Sequence, residues 1–456
     1  MNLHALLRRR AERDEPLRVG LIGAGKFGSM YLAQAPRTPG VHIAAIADLN
    51  PDGARAALAR VGWPPETYAA PSLAAALARG TTWIGDDPFA PIAAPEIDIV
   101  IDATGDPAAG VAHVLACCEH GTDVVMVNVE ADALVGPALA ARAADAGIVY
   151  SLAYGDQPAL VCAMVDWARA AGFEVVAAGK GTKHLPAFHR STPDTVWEHY
   201  GLSAEEARAG GMNPRMFNSF LDGTKSAIEM AAIANACALD APSDGLAFPP
   251  CEVDALADVL RPREIGGALE RHGQVEVVSS LARDGTPLAR DLRWGVYVVF
   301  AAGGASGARE YVRRCFREYG LATDATGEYA AMYKPYHLIG LELGISVASV
   351  GLRGEPTGSP LAWRADVVAT AKRDLAAGET LDGEGGYRVY GKLLPASRSL
   401  ALGALPLGLA HGATLRRDVA ADEAVRWGDV EIDEGSEAVR LRREMERDGA
   451  AGGSGH

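Results

Sequence analysis

The chain has 456 residues and a formal net charge of −15, with 43 basic and 58 acidic residues. A nucleic-acid-binding protein needs a concentrated basic face, so this charge argues against nucleic acid as a partner. Hydrophobic residues make up 49% of the chain and charged residues 22%, which is typical of a folded globular protein and excludes wholesale disorder. At roughly 100–200 residues per domain, the length predicts two to four domains.

The apolar segments predict neither a membrane span nor a secretory signal. The longest apolar stretch, residues 400–410, is too short to cross a bilayer and contains Gly403 and Pro406. The first residues predict a short amphipathic helix, because arginines follow the apolar residues and no small-residue cleavage site comes after them. The six cysteines form no Cys-x-x-Cys pair, and we interpret them as reduced core residues of a cytoplasmic protein.

The most informative local pattern lies near the N-terminus. Residues 17–22 form a short apolar run typical of a buried parallel strand, a glycine-rich turn follows, and residues 29–34 have helical character. A second apolar run, residues 41–47, ends at Asp48, twenty residues beyond Gly28. This order of strand, glycine turn, helix, strand and acid is typical of a dinucleotide-binding domain, whereas the alternative is a plain glycine-rich turn of an α/β domain.

Each part of that pattern has a physical role. Gly23 permits a tight turn, Gly25 lets the backbone approach a pyrophosphate, and Gly28 lets the helix pack against the strand. Asp48 is expected to bond ribose hydroxyls and to repel a 2′-phosphate, which favours NAD over NADP. The residues predicted to bind the cofactor, including those after later strands, are Gly23, Ala24, Gly25, Lys26, Phe27, Gly28, Asp48, Thr104, Gly105 and Asn128.

Further strands continue the alternation with helices. Apolar runs at residues 97–102, 123–128 and 148–153 are separated by helical segments, which predicts a parallel doubly wound sheet. Ligands bind at the carboxyl ends of the strands in such sheets. The polar residues that follow these strand ends are Thr104, Asn128, Glu130, Tyr154 and Asp156.

Carboxylates at this sheet edge have two possible uses. Glu130, Asp132 and Asp156 are a set that can exchange protons with a substrate or hold a divalent metal ion. Alternatively each caps a helix N-terminus, and Asp132 in particular precedes an alanine-rich helix predicted from about residue 136 to residue 146.

Two lysines follow the next predicted strand, residues 173–178. Lys180 and Lys183 lie in a glycine-containing turn, and glycines there let a backbone come close to a ligand. Either lysine is a candidate to bind a substrate phosphate or carboxylate, or to polarise a carbonyl group. The alternative is an ordinary solvated loop.

A third lysine, Lys225, belongs to a helix predicted over residues 216–235. Glu229 lies four residues later, so the alternative to a catalytic role is a salt bridge along the helix. His337 precedes an apolar run that predicts burial, which favours a core histidine over a general base. His184 and His189 lack the spacing of zinc ligands.

Several motifs together resemble the homoserine-dehydrogenase-related oxidoreductases, and within them the second type of deoxyxylulose-phosphate reductoisomerase. The resemblance spans nearly the whole chain, and residues 366–430 resemble the SAF module that ends members of that branch. The motifs that carry it are Gly-Ala-Gly-Lys-Phe-Gly at 23–28, Asn-Val-Glu-Ala-Asp at 128–132, Gly-Asp-Gln-Pro at 155–158, Gly-Lys-Gly-Thr-Lys at 179–183, Asp-Gly-Thr-Lys at 222–225 and Tyr-His-Leu-Ile-Gly-Leu-Glu at 336–342.

The resemblance implies an NADP-type cofactor, a homodimer or homotetramer, reduction of a small carbonyl compound, and a catalytic role for Lys225. Asp48 favours NAD, so both cofactors stay open. The sequence departs from homoserine dehydrogenase itself, because Val129 replaces a lysine and Asp222 lies only three residues before Lys225. Homoserine dehydrogenase activity is therefore not expected.

The predicted fold class is α/β. A Rossmann doubly wound domain is expected over residues 1–158, an α+β substrate and oligomerisation domain over 159–362, a small β-rich SAF-like domain over 363–445, and a flexible tail over 446–456. The predicted function is an NAD(P)-dependent oxidoreductase acting on a small sugar-phosphate or polyol-type carbonyl, without nucleic-acid or membrane partners.

The sharpest form of this function is the reductive isomerisation of 1-deoxy-D-xylulose 5-phosphate to 2-C-methyl-D-erythritol 4-phosphate in isoprenoid biosynthesis. The alternatives are a dehydrogenase of another hydroxy-acid or sugar-acid intermediate, and a non-catalytic nucleotide-binding assembly protein. Whether the SAF-like segment closes over the active site or mediates assembly stays open. The candidate catalytic residues are Lys180, Lys183, Lys225, Glu130 and Asp156.

Overall fold

A computed structural model describes residues 2–452 of the chain. The chain forms two compact units: the first contains Met1–Leu160 and Leu338–Pro360, and the second contains Val161–His337 and Leu361–His456. The boundary at residue 160 lies close to the predicted one at 158. In contrast to the predicted domains, residues 338–360 belong to the first unit, and the C-terminal segment shares its unit with the middle of the chain.

The secondary structure alternates strands and helices in the first 170 residues and is mixed thereafter. The strands are β1 (Leu17–Ile22), β2 (Val41–Ala47), β3 (Trp83–Gly85), β4 (Ile99–Asp102), β5 (Asp123–Met126), β6 (Tyr150–Leu152), β7 (Glu174–Thr182), β8 (Gln274–Ser279), β9 (Val296–Ala301), β10 (Ala322–Thr323), β11 (Tyr329–Lys334), β12 (Ala365–Ala371), β13 (Val389–Pro395), β14 (Thr414–Leu415) and β15 (Val430–Glu431). The helices are α1 (Leu3–Glu12), α2 (Lys26–Gln34), α3 (Pro51–Arg60), α4 (Leu73–Arg79), α5 (Phe89–Ile92), α6 (Pro107–His120), α7 (Val129–Asp145), α8 (Gln157–Ala170), α9 (Val196–Tyr200), α10 (Ala204–Ala209), α11 (Pro214–Leu221), α12 (Thr224–Cys237), α13 (Leu256–Val259), α14 (Ser306–Glu318), α15 (Gly344–Arg353), α16 (Ala396–Leu402) and α17 (Glu437–Gly452).

The first unit contains a six-stranded sheet in the order β3-β2-β1-β4-β5-β6. All of its strand pairs are parallel. This is the strand order of a Rossmann sheet, and the order reverses between β1 and β4, where such sheets bind ligands. The predicted doubly wound α/β fold of the N-terminal region is confirmed.

Residues 338–360 join the first unit through an apolar helix. Leu343, Val347 and Val350 of this segment are buried in the same core cluster as β1 and β4, and α15 packs against α1. Helix α1 confirms the helix predicted at the N-terminus. This late segment belongs to the Rossmann core because the apolar side of α15 is buried there.

The second unit is built on a mixed five-stranded sheet in the order β10-β11-β9-β7-β8. Strands β7 and β8 are parallel, and the other pairs are antiparallel. Helix α12 contacts β7 and β8 as well as the antiparallel pair formed by β12 and β13. Because one buried helix contacts both sheets, the C-terminal segment shares a core with the middle of the chain.

Three predicted elements differ from the observed ones. Strand β7 extends to Thr182, so Lys180 lies within a strand and not in a turn after it. The single helix predicted over 216–235 is two helices, because Gly223 between them has a left-handed φ of +91°. Helix α17 continues to Gly452, where a tail was predicted from residue 446, and residues 453–456 of that predicted tail lie outside the described residues.

Within the described residues, no helix combines the length and hydropathy that crossing a membrane requires.

Candidate functional site

The turn between β1 and α2 has the geometry that its glycines predict. Gly23 has φ +93°, and a Cβ on it would lie 2.7 Å from the carbonyl oxygen of Ala103. A Cβ on Gly28 would lie 2.4 Å from the carbonyl oxygen of Gly23. Both positions therefore require glycine because another part of the backbone passes close to them.

Gly25 differs from the other two glycines of the turn. It is exposed and lies directly before α2, and apart from Gly25 itself and its chain neighbours Ala24 and Lys26, no heavy atom of the described residues lies within 4 Å of a Cβ built on it. The free N–H groups of the first turn of α2 follow at once, and Lys26 is exposed beside them. This open space at a helix N-terminus fits the pyrophosphate of a dinucleotide.

Asp48 follows β2 and braces the glycine turn. Its Oδ2 accepts a hydrogen bond from the Ala24 N–H at 2.8 Å, and its Oδ1 accepts one from the Asn50 N–H at 2.8 Å. The side chain is only partly buried, and each carboxylate oxygen has a second lone pair. Asp48 can therefore hold the turn in place and still accept a hydrogen bond from a ribose hydroxyl.

A buried hydrogen-bond network supports the loop after β4. Asp102, completely buried, accepts hydrogen bonds on Oδ1 from the Thr104 hydroxyl at 2.7 Å and on Oδ2 from the His113 ring at 3.1 Å. Asn128 donates to the Thr104 hydroxyl oxygen at 3.1 Å and to the Asp106 carbonyl oxygen at 2.7 Å. The predicted cofactor residues Thr104 and Gly105 are exposed at this loop.

Asn128 itself is completely buried, and its side-chain amide is bonded to Thr104 and Asp106, so it holds this loop in place; its predicted contact with a cofactor stays a prediction. The sequence analysis also missed Asp102 and His113. Asp102 could have been identified from the sequence, because it is the last residue of a strand that ends at the ligand-binding edge of the sheet.

The three carboxylates of this edge occupy different environments. Asp156 is buried and accepts a hydrogen bond from the Gln157 N–H at 2.9 Å, at the start of α8, and Glu130 is partly buried in the first turn of α7. Asp132 is completely buried inside α7, and Tyr150 donates its hydroxyl to Asp132 Oδ1 at 2.8 Å. Burial raises the pKa of Asp132 to about 7.

The suggestion that Asp132 caps a helix is wrong. Its Oδ1 accepts from Tyr150 and its Oδ2 has no hydrogen-bond partner among the described residues, so the carboxylate bonds no backbone N–H, either at the start of α7 or after the non-helical residue Val135 inside it. Asn128 precedes α7 and caps it, since its Oδ1 accepts a hydrogen bond from the Ala131 N–H at 3.1 Å. In the described part of the chain, no group of three or more His, Cys, Asp or Glu side chains is arranged to hold a metal ion. The carboxylates therefore give no support to the divalent ion considered from the sequence.

In the second unit, Lys180 forms a buried ion pair with Glu229 of α12. The sequence suggested that the glycines on either side of Lys180 let the backbone approach a ligand, whereas in the structure they make room for neighbouring backbone. A Cβ on Gly179 would lie 1.9 Å from the Glu276 carbonyl oxygen, and one on Gly181 would lie 2.1 Å from that of Leu292. Lys180 therefore ties β7 to α12.

Lys183 is partly buried and lies beside a second cation that the sequence analysis missed. The Lys183 ammonium is 5.3 Å from the centre of the Tyr200 ring, and the Arg293 guanidinium is 5.7 Å from the same centre. Burial, and then the charge of Arg293, lower the pKa of Lys183. Among the described residues, no carboxylate pairs with either cation, so the two are suited to bind an anionic group. Arg293 lies far from Lys183 in sequence, and no local pattern marked it.

Lys225 is the second residue of α12 and is partly exposed. Asp222, three residues earlier, is completely buried, accepts a hydrogen bond from the Thr224 N–H at 2.9 Å, and pairs with the Lys372 ammonium at 2.7 Å. Lys372 follows β12, so the C-terminal segment supplies the charge that compensates Asp222. Asp222 thereby connects the turn before Lys225 both to the start of α12, through Thr224, and to Lys372.

The histidines have separate environments. Burial lowers the pKa of His184 to about 3, so this ring stays neutral. His337 is only partly buried, in contrast to the predicted burial, and its Nδ1 lies 2.8 Å from the Trp294 carbonyl oxygen.

Several solved structures are similar to this chain at low identity. A probable dehydrogenase from Thermotoga maritima is 14% identical over 76% of this chain and 91% of that chain, with a TM-score of 0.38. A homoserine dehydrogenase from Thiobacillus denitrificans is 15% identical over 74% of this chain and 73% of that one, with a TM-score of 0.40. An NAD-binding oxidoreductase from Klebsiella pneumoniae is 18% identical over 37% of this chain and 43% of its own length, with a TM-score of 0.27. All three TM-scores are below 0.5.

No curated protein matches the sequence of this chain at a significant level. Residues 155–343 match the family model described as the catalytic domain of the oxidoreductase DRL. This segment, less than half of the chain, contains Lys180, Lys183 and Lys225. The match supports the coarser prediction that the protein is an oxidoreductase.

Proposed function

We propose that the protein is an NAD(P)-dependent oxidoreductase that acts on a small carbonyl compound carrying an anionic group. The observation that carries this proposal is the open space over Gly25, at the point where the order of a six-stranded parallel sheet reverses. The similarity of residues 155–343 to an oxidoreductase catalytic domain supports the same class of reaction independently.

The first unit would hold the cofactor. The N–H groups at the start of α2 would donate to the pyrophosphate, and the exposed Lys26 would add positive charge beside it. Asp48 accepts from the ribose hydroxyls, while Thr104 and Gly105 border the same edge of the sheet. A bound nicotinamide supplies or accepts the hydride. Asp48 favours NAD, and the resemblance implies NADP.

The second unit would handle the charge that develops on the substrate oxygen. Lys225 is partly exposed at the N-terminus of α12, where an ammonium group and the helix dipole together favour a developing alkoxide. Lys180 is buried against Glu229 and holds β7 in place for this role. We therefore assign proton donation to Lys225 and a supporting role to Lys180.

Lys183 and Arg293 would bind the anionic end of the substrate. Two cations beside one ring repel each other, and an anion between them relieves that repulsion. A sugar phosphate fits this pair, and 1-deoxy-D-xylulose 5-phosphate is the specific candidate. The carboxylate of a hydroxy acid or sugar acid suits the same two cations, so a dehydrogenase of such an acid is the second candidate.

Once a screen has identified the substrate, steady-state kinetics can distinguish these roles. Lys183→Met and Arg293→Met should each raise KM about 10- to 100-fold, because each removes one charge-assisted contact to the substrate. Lys225→Met should lower kcat with little change in cofactor affinity. Arg314→Met, which changes an exposed arginine of α14, is the matched control and should behave as wild type. Native kcat and KM in all three test variants would refute these assignments.

A further inference from the structure

The second unit contains a cavity of about 270 Å³. His189, Gly223 and Phe248 line one side of it, and Tyr390 and Lys392 of β13 line the other. Its volume is close to the lower end of the roughly 300–1,000 Å³ that small-molecule sites occupy. One wall therefore comes from the C-terminal segment whose role the sequence left open.

Aromatic rings form much of the cavity surface. The His189 ring stacks on Tyr390 with centroids 4.7 Å apart and planes at 29°. The His189 ring also lies 6.1 Å from Phe248, at a steep angle. One face of each ring is covered, because His189 stacks on Tyr390 and Phe248 stacks on the His184 ring with centroids 3.8 Å apart. Leu246, Leu393 and the uncovered parts of these rings are the apolar surface that remains for the C–H groups of a small ligand.

Two polar atoms of the residues that line the cavity have unused hydrogen-bonding capacity. Tyr390 is only 6% exposed, and none of the described residues forms a hydrogen bond with its hydroxyl group. The Nδ1 of His189 lies 2.7 Å from the Asp222 carbonyl oxygen, which only accepts, so Nδ1 carries the proton. The Nε2 of His189 is left as an acceptor, and burial lowers the pKa of this ring, which keeps it neutral.

The charged groups at the cavity are already compensated. Lys392 Nζ lies 2.9 Å from Asp244 Oδ1, and Arg398 lies 3.2 Å from the same oxygen. Asp422 pairs with Arg190 at 3.0 Å. A ligand with a formal charge would have to displace one of these pairs, whereas an uncharged ligand would not.

We propose that this cavity is a binding site for a small uncharged polyhydroxy compound, such as a polyol or a free sugar. The ligand donates a hydroxyl hydrogen to His189 Nε2 and exchanges a hydrogen bond with the Tyr390 hydroxyl, while its C–H face packs on the aromatic rings. The C-terminal segment then serves as one wall of a ligand site. This inference does not depend on the proposed oxidoreductase activity.

Ligand-observed NMR and calorimetry on the full chain test it, with erythritol, xylitol and D-xylose as uncharged probes and D-xylonate as the charged counterpart. At least one uncharged probe should bind the wild-type protein, and D-xylonate should bind more weakly. Tyr390→Phe keeps the ring and removes only the hydroxyl group, so it should weaken binding about tenfold.

Tyr387→Phe is the matched control, because Tyr387 lies in the same segment but is exposed and bonded to Asp194. It should bind the probes as the wild-type protein does. The proposal is overturned if no uncharged probe binds, if D-xylonate binds more tightly than D-xylose, or if Tyr390→Phe binds as tightly as Tyr387→Phe. A probe held only at the catalytic site would give that last result.

Discussion

Gly25 and Gly28 lie three residues apart in one turn, yet a side chain at each has opposite consequences. The space beside Gly25 is open, whereas a Cβ on Gly28 would collide with the Gly23 carbonyl oxygen at 2.4 Å. Folding alone therefore does not require glycine at position 25. We interpret the absence of a side chain there as space for a ligand. Gly28 is required by the packing of the turn itself.

This contrast predicts two different defects. Gly25→Trp should abolish NAD(P)H binding and leave the thermal unfolding temperature close to that of the wild type, because the indole fills only the pyrophosphate space. Gly28→Ala should instead lower the free energy of unfolding by about 1–3 kcal/mol, as overpacking does. Fluorescence titration with NAD(P)H and thermal melts measure both effects. Native cofactor affinity in Gly25→Trp would rule out this turn as the binding site.

Asp132 predicts a pH dependence of stability. Burial raises its pKa from 3.8 to about 7, so the folded state binds a proton that the unfolded state releases at lower pH. The protonated Asp132 therefore stabilises the folded state fully below about pH 4, and this contribution is lost as the pH rises through about 7. Each unit of difference between the folded and unfolded pKa contributes about 1.4 kcal/mol to the free energy of unfolding.

Denaturant unfolding of the wild type, Asp132→Asn and Asp145→Asn at about pH 5 and about pH 8 isolates this contribution. Asp132→Asn should lose less stability between the two pH values than the wild type does. Asp145→Asn changes an exposed carboxyl at the other end of α7 and should follow the wild-type profile. Identical profiles for all three proteins would show that Asp132 ionises normally.

At the scale of elements, the C-terminal helix α17 is fixed by an internal ion pair. Arg442 donates to Asp366 of β12 through both terminal nitrogens, at 2.9 and 2.6 Å, and both side chains are almost fully buried. The sequence analysis interpreted the end of this helix as a flexible tail because its final residues are rich in glycine and alanine. The pair spans 76 residues, so no local pattern reveals it.

Removing this arginine should destabilise the second unit. Arg442→Met leaves the Asp366 carboxylate buried without its cation, which typically costs about 3–5 kcal/mol. Arg440→Met removes an exposed arginine two residues earlier on the same helix and should change the free energy of unfolding by no more than about 0.5 kcal/mol. Denaturant unfolding compares the two. Equal stability of both variants would show that the ion pair contributes nothing net.

At the scale of the whole molecule, the sequence predicts the first unit far better than the second. The Rossmann sheet is built from consecutive strands and helices, and its glycine turn is a local motif, so periodicity and spacing were sufficient. In the second unit the decisive contacts join distant segments: Lys180 with Glu229, and Lys372 with Asp222. A sequence pattern marks the lysines but not their partners.

The contrast between local motifs and long-range contacts also explains which candidate site residues were placed correctly from the sequence. Most of the predicted cofactor residues lie at or beside the turn where they were expected, whereas Asn128 is buried and bonds to the loop after β4. The three predicted catalytic lysines have different environments. Lys180 is buried in an ion pair with Glu229, Lys183 is a candidate to bind an anion, and Lys225 is partly exposed at the start of α12. Burial and ion pairing decide among these roles, and neither can be inferred from spacing alone.

The proposed function couples a nicotinamide cofactor to a small anionic carbonyl substrate. It is tested by the absorbance of NADH and NADPH during incubation of the purified protein with phosphorylated ketoses, aldoses and hydroxy acids in turn. We expect substrate-dependent oxidation of one cofactor by the wild-type protein, and none by Gly25→Trp, which is expected to remain folded. Absence of turnover across the whole panel, in a protein that binds NAD(P)H, would contradict the claim and favour a nucleotide-binding protein without catalytic activity.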